Sequence, residues 1–230
     1  MDVKRVFAED NKVVVHTHLL FDKGEIGNDF ATGYALVSMF ELNDESKITN
    51  YWGLTQQVGP FVQSINVHSL FDGAMNKRTQ LLRDDQTEEK VRQKYRKKNT
   101  DVVREYTELF FNEDDYDNPR LRELVADDLI QHNPTEPNGL DGLIEIFKGL
   151  RAENPGVKAY IIRAVADGEF VVTQMYFGTT EDGFTRGEGI YTFDIYRVVD
   201  GVIVEHWDVL QPVAVIESKR VDANTNNLFY

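Results

Sequence analysis

The chain repeats itself, and the repeat limits what it can become. Tyr51-Trp52-Gly53-Leu54-Thr55-Gln56-Gln57-Val58 matches His206-Trp207-Asp208-Val209-Leu210-Gln211-Pro212-Val213 position by position, and Ile48 falls on Ile203 at the same offset. Upstream, Val13-Val14-Val15 matches Phe170-Val171-Val172 at a slightly different offset. Downstream, Asn66 to Phe71 resembles Asn224 to Phe229. Matches in fixed order with little drift in length mark residues 3–71 and 157–229 as two copies of one unit.

Each copy reads as four strands. In the first, strand candidates flank the turn Glu9-Asp10-Asn11, and YALVSMFEL pairs with SKITNYWGLTQQV. In the second, Val157–Val165 and Glu169–Phe177 form a hairpin across Asp167-Gly168, and the stretch 187–213 forms another at Val199-Asp200-Gly201. Between the copies, residues 72–98 are highly charged, with Thr87, Glu88 and Glu89 opening a solvated connecting helix. Val102, Val103, Tyr106, Leu109 and Phe110 have the spacing of an amphipathic helix. A turn at Asn112–Asn118 follows, then a helix from Pro119 to about Ala126. Ile130 to Pro134 is extended, because a residue before proline avoids the helical region. Gly139 to Gly142 caps a helix over Leu143–Leu150. The first copy has only strands, so the expected division is a partial unit at 1–72, a charged linker and helix at 73–98, and a complete unit at 99–230.

The last hairpin carries the polar set. A two-residue loop at Asp200-Gly201 would place Ile195 opposite His206. A three-residue loop with a Gly201 bulge places Asp194 opposite His206 and Thr192 opposite Asp208. The second register segregates the faces better: Phe193, Ile195, Ile203, Trp207 and Val209 on one side, and Thr192, Asp194, Tyr196, Val204, His206 and Asp208 on the other. The first copy has Tyr51, Gly53, Met39 and Leu42 where the second has His206, Asp208, Asp194 and Arg197, so it lacks the acid–base set.

Composition excludes several classes. The net charge of −14 argues against nucleic-acid binding and against anionic membrane surfaces. Without cysteine there are no disulfides, thiolate nucleophiles or Cys-based zinc sites. No run of 18 apolar residues and no leader-like segment is present, which makes a cytoplasmic location the expectation. His16 and His18 share a strand face and could turn two imidazoles toward a metal. With no third ligand nearby in sequence, cavity-lining or hydrogen-bonded histidines are the plainer reading, and no metal site is assigned.

Ile130-Gln131-His132-Asn133-Pro134, then Asp141-Gly142, then Val204-Glu205-His206-Trp207-Asp208-Val209-Leu210-Gln211 resemble the SnoaL-like polyketide cyclases of the nuclear-transport-factor-2-like superfamily, in particular the branch described as aldol-condensation-catalysing. The resemblance spans about residues 99–229, and the strand repeat extends it over 3–71. It implies an α+β fold in which a cone-shaped, curved antiparallel sheet packs against helices around a cavity. It also implies general acid–base catalysis by Asp208 in an aldol ring closure, with no metal or cofactor. Asn133, Thr192, Asp194 and His206 would line the pocket. The cyclases carry a histidine at the position of Asp194 and a glutamine at that of Thr192.

Catalysis is therefore expected of Asp208 and His206, and ligand contact of His132, Asn133, Thr192, Asp194 and Tyr196. Asn133 could donate a hydrogen bond to a substrate carbonyl. Against this stand an Asp208 paired with Arg197 or a backbone N–H, and a His132-Asn133 turn that satisfies its own backbone. Three functions remain open. One is a cofactor-free cyclase, isomerase or hydratase acting on a small hydrophobic or carbonyl compound. The second is a binding module without chemistry, and the third an oligomerising domain. Trp52 and Trp207 should be core or interface aromatics, and Arg197 should pair with Glu205 at a surface or interface. The first sheet should pack face to face on the second through the sides bearing the tryptophans, as an intrachain pseudo-dimer or within a homo-oligomer. Its apolar set (Val13, Val15, Leu36, Phe40, Ile48, Trp52 and Leu54) would otherwise be exposed, covered by another chain or by residues upstream of Met1. The segments ending at Phe71 and Phe229 should both dock.

Overall fold

The computed structural model describes residues 1–59, 64–74, 86–180 and 189–212, with backbone alone over 86–96. The fold is α+β. β1 (Asp2–Glu9), β2 (Lys12–Leu20), β3 (Gly33–Leu42) and β4 (Ile48–Val58) form an antiparallel meander. After α1 (Gln86–Thr107) and α2 (Pro119–Leu124) comes β5 (Val125–Gln131), then α3 (Leu140–Glu153). The chain ends its described part in a second meander of β6 (Lys158–Asp167), β7 (Phe170–Gly178), β8 (Ile190–Val199) and β9 (Val202–Pro212). β5 joins the second sheet parallel to β9. The expected Asn224–Phe229 docking lies outside the described residues.

The helices cover one face of the second sheet. Val103, Tyr106, Phe110, Leu121, Leu140 and Leu143 pack there against Met175, Tyr196, Val198 and Ile203. At the end of α1 the helix widens into a π-turn over Glu108–Asn112, which brings Phe110 and Phe111 inward together. The regular spacing read from sequence selected Leu109 and Phe110 instead. Asn118 caps α2 by accepting from the Arg120 N–H at 2.9 Å, with Pro119 in the first turn. α3 begins three residues earlier than expected, and β5 occupies residues read as the end of α2 and the strand after it.

The β8–β9 register differs from the expected one. The turn is the two-residue Asp200-Gly201, both at positive φ (52° and 88°), and Val199 pairs with Val202. A bulge then slips the ladder: Val198 pairs with Ile203, but Arg197 pairs with Glu205, leaving Val204 extra. Asp194 therefore lies opposite Asp208, and Tyr196 opposite His206. Thr192, Asp194, Tyr196, His206 and Asp208 still share a face. Ile203 crosses to the helix side, where it joins Val198 in the core.

The other face of the second sheet packs on the first sheet. Phe7, Val14, Val37, Met39, Trp52 and Leu54 interleave with Val172, Phe193, Ile195, Trp207 and Val209. Leu70 and Phe71 are buried in the same core. The contacts are reciprocal, as they would be across a two-fold axis. Arg5 on β1 stacks its guanidinium 4.1 Å from the Trp207 ring centroid, and Arg163 on β6 stacks 4.0 Å from that of Trp52. Gln211 Oε1 accepts from the Thr55 N–H at 3.2 Å, and Gln56 Oε1 from the Leu210 N–H at 3.0 Å. The Ala8 N–H donates to Asp167, and the Ala166 N–H to Glu9. Trp52 and Leu54 are thus covered. Val13, Val15, Leu36 and Phe40 alternate to the outer face, where they are half-buried beside exposed Tyr51, and Ile48 at the strand end is exposed.

Strand pairing also refines the comparison of the copies. Measured against the Trp52–Trp207 match, Ser38 stands where the second sheet has Asp194, and Glu41 where it has Arg197. The Ser38 and Tyr51 hydroxyls lie 3.3 Å apart, in the place of the Asp194–His206 pair. His16 and His18 face the sheet interface. Arg5 lies 3.3 Å from His16 Nδ1, and His18 stacks on Phe71 with centroids 3.8 Å apart. Burial first, and then the Arg5 charge, hold the His16 pKa well below its ordinary value.

Candidate functional site

Between the helices and the second sheet lies a cavity of about 530 Å³. Tyr106, Phe111, Leu143, Phe147, Phe177 and Ile190 supply apolar wall. Its polar end gathers Gln131 from β5, Asn133, Thr135 and Glu136 from the β5–α3 loop, Thr192 and Asp194 from β8, and His206 and Asp208 from β9. Strand alternation explains the grouping: residues two apart on β8 and β9 reach one face, and the helices leave that face hollow.

Each polar group is held in place. Asp208 Oδ2 accepts from Asn133 Nδ2 at 2.9 Å, while the buried Oδ1 has no hydrogen-bond partner among the described residues. Asn133 Oδ1 accepts from the Thr135 N–H and hydroxyl at 2.9 and 2.8 Å, which directs the side-chain amide toward the carboxylates. His206 Nδ1 donates to Gln131 Oε1 at 2.8 Å and Nε2 to Asp194 Oδ1 at 3.2 Å. Two acceptors on one ring call for an imidazolium. Burial opposes that charge, but the Asp194 hydrogen bond and the charges of Glu136, Asp208 and Asp194 raise the His206 pKa to about 9. Asp194 also accepts from the hydroxyls of Thr192 and Tyr196. Burial raises the Asp208 carboxyl above its usual range, against the pull of His206. Glu136 is raised further, by burial first and by Asp208 next. The two carboxyls titrate together, and burial favours one shared proton between them.

The sequence-named residues divide. Asn133, Thr192, Asp194, His206 and Asp208 meet at the cavity. Tyr196 stands behind it, its ring stacked on His206 with centroids 4.8 Å apart. His132 turns to the opposite side of β9 and does not line the cavity. It stacks on Trp207 at 4.4 Å, with Nδ1 2.7 Å from Asp72 Oδ1 and Nε2 2.9 Å from Glu205 Oε1. These two carboxylates raise its pKa although burial opposes them. Glu205 also takes the Arg197 guanidinium at 2.9 Å, so that ion pair has a buried acid and is not a surface pair. The Asn133 amide is engaged by Asp208, not free for a substrate carbonyl. Glu136 and Gln131 escaped the sequence reading. The available signal for Glu136 was the Asn133-Pro134 turn, whose closing bond from the Glu136 N–H to Asn133 O at 3.1 Å returns the side chain to the site.

The segment after the first sheet holds this loop. Asn66 donates to the carbonyls of Asn133 and Glu136, Asn138 donates to Asn66 O at 3.0 Å, and the Ile65 N–H donates to Pro134 O at 3.0 Å. Two groups among the described residues have ligand atoms within 4.8 Å of one another, a spacing that could hold a cation. They are Asp194, His206 and Asp208 at the cavity, and His68, Asp72 and His132 behind it. The His206 nitrogens already bond Gln131 and Asp194, and the His132 nitrogens bond Asp72 and Glu205. Among the described residues, no helix is long and apolar enough to cross a membrane.

Residues 100–217 match the family model of the SnoaL-like polyketide cyclases. Among solved structures, the chain is similar to IdmH from Streptomyces antibioticus at 25% identity, covering 49% of this chain and 91% of that one with a TM-score of 0.40. It is similar to a SnoaL-like polyketide cyclase from Agrobacterium tumefaciens at 19% identity, over 51% and 94%, TM-score 0.41. TsrD from Streptomyces laurentii aligns at 18% identity over 50% and 90%, TM-score 0.41. No curated protein matches the chain at a significant level.

Proposed function

Since the chain belongs to the SnoaL-like polyketide cyclase family, we propose that it performs general acid–base chemistry on a small carbonyl compound, with Asp208 as the base. The observation that carries this reading is Asp208, a buried residue that lines the cavity and whose Oδ1 has no hydrogen-bond partner among the described residues. Asn133 fixes the other oxygen. Burial raises the basicity of this carboxylate, while the His206 imidazolium keeps it ionised at neutral pH. His206, oriented by Gln131 and Asp194, acts as the electrostatic partner that steadies negative charge as it develops. Thr192 and Tyr196 hold Asp194 in place. The apolar walls suit an aromatic or alicyclic body and exclude water from the reacting carbon.

The same cavity would serve a binding module, and Asp208→Asn separates the two. A binding module keeps its ligand and has no turnover to lose. The reciprocal contacts between the sheets support an intrachain pseudo-dimer, in which residues 1–72 are a partial unit, 73–98 a connector and 99–230 the complete unit. A thermal-shift panel of small aromatic ketones and matching hydrocarbons tests the ligand class. The expected result is a saturable rise in Tm with ketones that exceeds the rise with hydrocarbons. No rise with any member would contradict the reading.

A further inference from the structure

Glu136 faces Asp208 across a single amide. Asn133 Nδ2 is 2.9 Å from Asp208 Oδ2 and 3.4 Å from Glu136 Oε1. The other Glu136 oxygen is 3.8 Å from His206 Nδ1. The backbone at Glu136 is fixed from both sides, by its own turn to Asn133 and by the Asn66 amide at 2.8 Å. Around Asp208 the neighbouring donors are committed: the Asn133 amide to the two carboxyls, the His206 nitrogens to Gln131 and Asp194, and the Thr192 hydroxyl to Asp194. A substrate carbonyl in this corner needs a donor that these groups do not supply, and Glu136, the Tyr106 hydroxyl and the Gln131 amide are the cavity groups left to give one.

We infer that Glu136 carries a proton at rest and is the acid partner of Asp208, delivering that proton to the oxygen of an enolisable ketone whose α-carbon faces Asp208 Oδ1. This rests on the reading of Asp208 as a base. The step balances without a co-reactant. Asp208 takes the α-proton, and the C–H electron pair becomes the carbon–carbon double bond. The carbonyl π pair moves to oxygen, which binds the Glu136 proton. The products are a neutral enol, a protonated Asp208 and a Glu136 carboxylate. Reversal at the same carbon exchanges the hydrogen, and reprotonation at a conjugated carbon moves the double bond. Among the described residues, five titratable groups act on Glu136. Asp208 and Asp194 favour its protonated form, and His206 opposes it. Tyr106 and Tyr196 are held neutral, their phenols pushed well above the ordinary range, by burial first and then by Glu136 for Tyr106 and Asp194 for Tyr196. A carboxylic acid kept neutral by a dry site is an efficient hydrogen-bond and proton donor.

Two measurements test the inference. Infrared spectra of the wild-type protein labelled with carbon-13 glutamate should show, at neutral pH, a protonated-carboxyl band that shifts with the label and disappears in Glu136→Gln. Carboxylate bands alone would overturn the role of Glu136 and leave Asp208 untouched. Hydrogen exchange of β-tetralone in deuterated water should fall about 10²-fold in kcat in Glu136→Gln with KM little changed, and the alkaline limb of the wild-type pH profile should move up to the one that His206 sets. Undiminished exchange in Glu136→Gln alongside a dead Asp208→Asn would refute the acid role alone. Wild-type exchange no faster than buffer would overturn the base and the acid together.

Discussion

Raising the pH should destabilise this protein, with His206 as the main lever. Its imidazolium is buried between Gln131 and Asp194, and its pKa is near 9 against an ordinary value of 6.5. A group bound more tightly to its proton in the folded state stabilises that state below the unfolded pKa and loses the contribution as pH passes the folded one. The contribution is therefore complete below about pH 6.5 and gone above about pH 9. A displacement of that size corresponds to roughly 3 kcal/mol, a large share of a domain's stability. Glu136 and Asp208 act with the same sign, because their raised pKa values also mean protons held longer in the folded chain. Urea unfolding from about pH 6 to about pH 9.5 should show a falling midpoint at constant slope. NMR titration of the His206 ring should place its transition above that of a model imidazole. A His206 transition at or below the ordinary value, or a midpoint that does not fall, would refute the reasoning.

Two further outcomes are expected. Asn66→Ala removes both bonds to the Asn133–Glu136 loop and should cost about 2 kcal/mol, read as a lower urea midpoint and faster hydrogen exchange at Glu136. A loss within about 0.5 kcal/mol would mean that the loop stands without this strap. Gly73→Ala should cost about 2–4 kcal/mol, because φ there is +88° and a Cβ would meet Glu205 Oε1 at 2.2 Å and His132 at 2.6 Å. An unchanged Tm would contradict the described packing of that turn.

The sequence spoke most clearly where period and repetition carried the signal. Eight long strands, the two tryptophans on facing sheets and the Thr192–Asp194–His206–Asp208 face were all legible, because alternation survives most local adjustments. What escaped were single-residue irregularities. The extra residue at Val204 slips the ladder by one, changing which partners meet and moving Ile203 to the other face. The π-turn does the same on a helix, exchanging Leu109 for Phe111. Glu136 reaches the site through a turn, not a period, and His132 leaves it because it alternates with Gln131 and Asn133, which both reach the cavity. The stacking of Arg5 on Trp207 and Arg163 on Trp52 depends on two sheets meeting, which no local pattern announces.

The proposed chemistry depends most on the Asp208 carboxylate. Asp208→Asn keeps the shape and the Asn133 neighbour but removes the base. The direct measurement is β-tetralone hydrogen exchange by wild type and Asp208→Asn, with binding followed in parallel by thermal shift. The account predicts intact folding, retained binding and exchange reduced by about 10² to 10⁴-fold. Exchange at the wild-type rate in Asp208→Asn would contradict it.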